Sequence, residues 1–198
     1  MNKSSLTTLI ENEGTFEEFE HAGLKCVIQR NRLDAWCGYV GVSPEYTLYG
    51  YDYNDLITVP QEIKDRKIDV DRIGVFNFFA FCLKKQSEEG STIGEEIPVG
   101  LALDVHGGIT FSEGALADGR TWNGTKCEEM YSSDDDRVWW FGFDCGHAGD
   151  LVPAMVLNEK YREIRGMFNQ HEIYRDKEFV ISETKDLAEQ IAKFKISR

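Results

Sequence analysis

Apolar and polar positions alternate in LKCVIQR, where Leu24, Cys26 and Ile28 fall on one side of an extended chain and Lys25 and Gln29 on the other. That period of two predicts a half-buried strand. AWCGYVGV (35–42) reads as a second strand and Asn31 to Asp34 as a tight turn, so residues 20–42 form a predicted hairpin. SPEYTLYGYDYND (43–55) is a loop rich in tyrosine, and VDRIGVFNFFAFCL (70–83) fits either a strand or a buried helix. EEIPVGLALDV (95–105) reads as a strand, as does VWWFGFDC (138–145), which carries large residues on both sides. After Pro153 the period lengthens. ETKDLAEQIAKF puts Leu187, Ile191 and Phe194 on one stripe, which predicts a helix over 183–196 capped by Ser182 or Thr184. The pattern predicts an α+β fold, a mostly antiparallel sheet covered by one or two helices.

Size and composition narrow this reading. A chain of 198 residues with 41% hydrophobic and 12% aromatic content can bury a substantial core, which favours a single domain over 1–198, with 1–19 as a loose N-terminal segment. The 35 acidic residues against 22 basic give a formal charge of −13, which works against a duplex nucleic-acid partner, because affinity for the phosphate backbone needs Lys and Arg to displace counterions. A small anion stays within reach of a few local donors. The N-terminus has no apolar run suited to a signal peptide, and no stretch approaches a membrane span, so a cytoplasmic protein without a membrane partner is expected. Five scattered cysteines without a Cys-x-x-Cys pair suggest reduced thiols. Residues 112–137 form a long polar connection, and connections of that length inside a domain are usually functional or mobile.

Two segments carry the candidate chemistry. If LALDVH is a strand, Asp104 and His106 share a face about 6–7 Å apart, close enough for the carboxylate to orient the imidazole. Gly107 and Gly108 follow, and paired glycines offer amides that can hold an anion or a developing oxyanion. In WWFGFDCGHAGD, Trp139, Phe141, Phe143 and Cys145 fall on one face, which suits a buried, inert Cys145 thiol, while Val138, Trp140, Gly142 and Asp144 fall on the other. The Asp144, His147 and Asp150 spacing fits either ligation of a divalent metal or a general base with its orienting acid. Each segment alone also fits an ordinary glycine turn. On neighbouring strands, however, they would converge at one sheet edge.

CGYVGV, LYGYDY, DVHGGITFS, WWFGFDCGHAGD and YRDKEFVISETKDLAEQIAKF together resemble a widespread set of small, functionally uncharacterised proteins of bacteriophages and bacteria. The likeness runs over about residues 30–195 and aligns His106, Gly107, Gly108, Thr110 and Ser112 with one motif of that set, and Asp144, His147 and Asp150 with another. Where its members commonly carry His-Pro ahead of Tyr-Gly, this chain has Ser43, Pro44 and Glu45. The resemblance implies no particular reaction; a phage setting makes a nucleotide ligand linked to host defence a natural candidate.

Two function classes follow. In a hydrolase of small anionic, nucleotide-like substrates, Asp104, His106, Asp144, His147 and Asp150 act as acid, base or ligands of a divalent metal, Gly107, Gly108 and Thr110 hold negative charge, and Glu113 is a spare carboxylate. In a non-catalytic binding or sequestering protein, Trp36, Tyr39, Tyr49, Tyr51 and Trp140 stack a flat ligand whose polar end meets the same histidines. A cysteine mechanism through Cys145 with His106 or His147 stays open beside the first, and an acidic interaction module rests on charge alone.

Overall fold

The computed structural model describes residues 3–59, 72, 96–114, 138–161 and 172–195. The apolar segment 70–83, apart from Arg72, and the polar connection 115–137 lie outside these residues, so their expected roles have no counterpart below. Helix α1 (Lys3–Glu13) leads into strands β1 (Phe16–His21), β2 (Leu24–Arg30) and β3 (Trp36–Val42). Next come β4 (Leu56–Thr58), β5 (Glu96–Pro98), the single helical turn α2 (Val99–Ala102), β6 (Phe111–Gly114) and β7 (Trp139–Asp144). Helix α3 (Pro153–Leu157), a 3-10 turn (Glu159–Tyr161) and the long helix α4 (Lys177–Lys193) complete the described elements. The N-terminal nineteen residues, expected as a loose segment, therefore supply α1 and most of an edge strand.

The main sheet runs β1-β2-β3-β7-β6 with every pair antiparallel, and β4 and β5 form a separate small ladder. With its helices it is the expected α+β architecture. The predicted hairpin is β2 and β3. Its turn is fixed by Asn31, whose side-chain oxygen accepts from the amides of Leu33 (2.9 Å) and Ala35 (3.2 Å), an Asx arrangement that releases the chain into the returning strand.

Strand parity sorts the core into two layers. Leu24, Cys26, Ile28, Val40, Val42, Phe141 and Phe143 face α4, against Val180, Leu187, Ala188 and Ile191. Val27, Cys37, Tyr39 and Trp140 form the opposite layer with Phe16, Phe111 and Val138 packed on it. The helix comes close to the sheet over Gly38, where a β-carbon would meet Thr184 Oγ1 at 2.3 Å and the Phe143 ring at 2.4 Å. No described helix is long and apolar enough to cross a membrane.

Two elements depart from the sequence pattern. Helix α4 begins at Lys177, not 183, because Asp176 caps it by accepting from the Phe179 amide at 2.8 Å. Ser182 and Thr184 are interior, and the buried Thr184 hydroxyl donates back to the Val180 carbonyl at 2.7 Å. The expected strand 95–105 breaks after Pro98, where the Asp55 and Tyr53 carbonyls accept from the Val99 (3.0 Å) and Gly100 (2.8 Å) amides and start α2. A short, wholly apolar run serves a buried turn as well as a buried strand, and here loop 43–55 supplies the partners that decide it.

Candidate active site

The antiparallel pairing of β6 and β7 sets Phe111 opposite Gly142, so the chain entering β6 and the chain leaving β7 meet at one edge of the sheet. Thr110 extends the ladder by donating to the Gly142 carbonyl at 2.9 Å. Residues 103–110 and 145–150 are thereby neighbours, and the N-terminal half of α4 lies against them through Phe179 and Glu183.

Asp150 is the hub. Its side chain is 1% exposed and accepts from His106 Nε2 at 2.8 and 3.0 Å, from Arg175 Nε at 2.9 Å and from the His147 amide at 3.1 Å. Burial pushes this carboxyl's pKa up, but the His106 and Arg175 hydrogen bonds, with the His106 charge and the His147 amide, outweigh it and hold the pKa below the ordinary value. A parallel bridge between Asp150 and Ile173 fixes the approach of Arg175, with the Leu151 amide bonded to the Ile173 carbonyl and the Ile173 amide to the Gly149 carbonyl, each at 2.9 Å. Arg175 also lies over the Phe179 ring at 4.8 Å.

The two histidines stand edge to face with ring centroids 5.9 Å apart, and Phe179 packs on His106 at 5.3 Å. Glu183 accepts from the His106 backbone amide at 2.9 Å. The His147 ring lies close against Gly107, where a β-carbon would fall 2.1 Å from its Cε1 and Nδ1. Gly107 also has φ of +72°, a conformation that glycine adopts without steric penalty. Nδ1 of His147 is buried and has no hydrogen-bond partner among the described residues, with Asp144 Oδ1 and Asp150 Oδ2 each 3.9 Å away. One ligand atom from each of His106, His147 and Asp150 falls within 4.8 Å of the other two.

The remaining predicted residues divide. Asp144 sits at the rim, its two oxygens accepting from the Gly146 amide (2.8 Å) and the Thr110 hydroxyl (3.2 Å). Asp104 does not orient His106, because residues 104–106 are not part of a strand. It pairs with Arg72 Nε at 2.7 Å, while Arg72 also reaches Glu183, and it borders a groove of about 390 Å³ between Arg72 and Asp186, Glu189, Gln190 and Lys193 on α4. The Gly108 amide does not serve as an anion donor, since it donates to the Val105 carbonyl at 3.0 Å. Ser112 holds the tyrosine loop through Asp52 (3.0 Å) and the Tyr53 amide (2.9 Å). Glu113 keeps a buried oxygen without a partner among the described residues.

Of the aromatic rings expected to stack a ligand, Trp36, Tyr39 and Trp140 are buried in the core, and Tyr49 and Tyr51 are half-buried against it. Cys145 is buried as its face predicts, and desolvation together with the Asp150, Cys37 and Asp144 charges pushes its pKa up, which removes the thiolate that a nucleophile requires. The pattern missed Arg175 and Glu183. Glu183 did leave a signal: it is a carboxylate on the stripe of α4 that buries Val180 and Leu187. Arg175 left none, because its role depends on a chain crossing that local periodicity does not encode. No family model, curated protein or solved structure matches this chain.

Proposed function

We propose that the protein is a hydrolase of small anionic substrates in which water is activated between His106, His147 and Asp150. The observation that carries this reading is the buried Asp150 carboxylate, which holds one imidazole by its ring nitrogen and the second residue by its backbone amide. A fixed imidazole backed by a charged carboxylate is suited to moving a proton to or from a reacting group. Arg175 gives the cluster its anion specificity. Only its Nε is committed to Asp150 among the described residues, which leaves the outer guanidinium nitrogens for phosphate or carboxylate oxygens. The rings that would have built a stacking platform are largely core, which favours chemistry over sequestration.

The sequence resemblance supplies the setting of this proposal, a phage-encoded enzyme in the host cytoplasm that removes a nucleotide signal of host defence. The test is a panel of nitrophenyl phosphates, nitrophenyl carboxylic esters and linear and cyclic nucleotides offered to the purified chain. Turnover of a phosphoryl or carboxyl ester is expected to fall by about 10²-fold or more in His106→Ala, the usual scale of a lost acid–base group, while the circular dichroism spectrum is retained. Absence of turnover across the panel, with bound nucleotide recovered intact after denaturation, would sink the reading in favour of a sequestering protein.

A further inference from the structure

The geometry points to a divalent transition-metal site formed by His106 Nε2, His147 Nδ1 and the Asp150 carboxylate, which we propose is where the hydrolytic water is activated. The second half of that statement rests on the hydrolase reading; the ion-binding half does not. Asp144, His147 and Asp150 are the ligand set that sequence spacing suggests, but Asp144 does not belong to the group of ligand atoms that lie close to one another. His106 takes its place in the group whose ligand atoms fall within 4.8 Å of one another.

Three features argue for an ion and not a plain hydrogen-bonded cluster. First, His147 Nδ1 is a buried imidazole nitrogen left without a partner among the described residues, a state that a polar atom rarely keeps without an unplaced ion or water. Second, it faces Asp150 Oδ2 across 3.9 Å, slightly more than the roughly 3.4 Å that separates two ligand atoms bound at about 2.1 Å in a tetrahedral zinc site. Third, two imidazoles and one carboxylate are three protein donors of the borderline class that zinc and its neighbours prefer, and three leave a coordination position open for water.

The supports around such an ion are also present. Arg175 bonds Asp150 Oδ1, the hydrogen-bonded arrangement in which ligating carboxylates are usually found, and the missing side chain of Gly107 leaves the space that the His147 ring occupies. With an ion bound, the proton on His106 Nε2 would pass to solvent from a doubly protonated ring, or shift to Nδ1 through solvent in a neutral one, and the freed Nε2 lone pair would take up the metal. The ion polarises a bound water, and Arg175 receives the substrate's negative charge.

Direct titration tests the site without turnover. The full chain, dialysed against chelator and then titrated with Zn²⁺ or Co²⁺ in a calorimeter, is expected to take up one ion per chain, with the visible absorption of low-coordinate cobalt. His147→Asn and His106→Ala are expected to weaken binding at least about 100-fold, beyond the 10–100-fold typical of groups that merely support a ligand. His21→Ala, whose ring pairs with Glu189 elsewhere, should bind as the parent does. Nitrogen-15 spectra of the histidine rings guard against a variant that fails to fold, because the His147 Nδ1 resonance of the unmutated chain must move on adding Zn²⁺. An unmoved resonance, non-saturating uptake, or equal affinity in His147→Asn overturns the site. Ion binding without hydrolysis of any ester upholds the site and sinks the hydrolase; His106-dependent hydrolysis by ion-free protein upholds the hydrolase and overturns the ion's role.

Discussion

His147 keeps its place because the residue beneath its ring has no side chain. A β-carbon at Gly107 would overlap that imidazole at 2.1 Å, and the positive φ adds a penalty of about 1–2 kcal/mol for any L side chain. Gly107→Ala is therefore expected to lose that much stability or more in denaturant melts and to turn the His147 ring away. Its ester turnover should drop as far as that of a His147 deletion. A variant as active as the parent would mean that the ring's position does not matter. At this scale the sequence showed the participants better than their pairings. Two histidines beside aspartates were visible, but the carboxylate that grips His106 is Asp150, 44 residues away, and not Asp104 two residues away. The local pairing depended on a strand that the chain does not form at 104–106, while the long-range one depends on two strand ends meeting.

Among the elements, β7 was the most legible. Its aromatic residues fall into the two core layers as parity required, because a central strand buried on both faces must be large and apolar throughout. Helix α4 was recognised by its buried stripe but its start was placed too late: Val180 continues that stripe toward the N-terminus, and the cap is Asp176 and not Ser182 or Thr184. The segment just before α4, which delivers Arg175, is held at Tyr174. The Tyr174 hydroxyl donates to Glu13 Oε2 at 2.6 Å and accepts from Arg30 Nη2 at 2.8 Å. Burial and the Glu13 bond push the Tyr174 pKa up to about 12 from the ordinary value of 10.0, against the lowering effect of Arg30. The raised value means that the neutral phenol stabilises the fold fully below pH 10, and this contribution is lost as pH climbs through about 12. Urea midpoints of the parent and of Tyr174→Phe should accordingly converge between those limits. A gap independent of pH would refute the hydroxyl's role.

For the molecule as a whole, Glu13 gathers three distant segments. Besides Tyr174 it accepts from Arg30 Nη2 at 2.6 Å and from Trp36 Nε1 at 2.9 Å, and Arg30 lies over the Trp36 ring at 4.3 Å. The Arg30 and Glu13 side chains are only 2% and 9% exposed, so Glu13→Gln removes the counter-charge of a buried guanidinium and is expected to cost about 3–5 kcal/mol in chemical denaturation. Nothing in the sequence pattern marked this knot, because Glu13, Arg30, Trp36 and Tyr174 stand singly in four separate stretches. The two strongest local signals, the hairpin and the stripe of α4, come from contacts between near neighbours or a single continuous face.

The knot also bears on how the chain is made. Glu13 leaves the ribosome well before its tyrosine partner, which follows 161 residues later, and closing a loop of that span must come before the contact contributes anything. Such distant pairings slow folding. The arginine aimed at Asp150 therefore reaches its station only after residue 175 has been made, so a nascent chain that stops between Asp150 and Arg175 should carry both histidines and still lack a working centre.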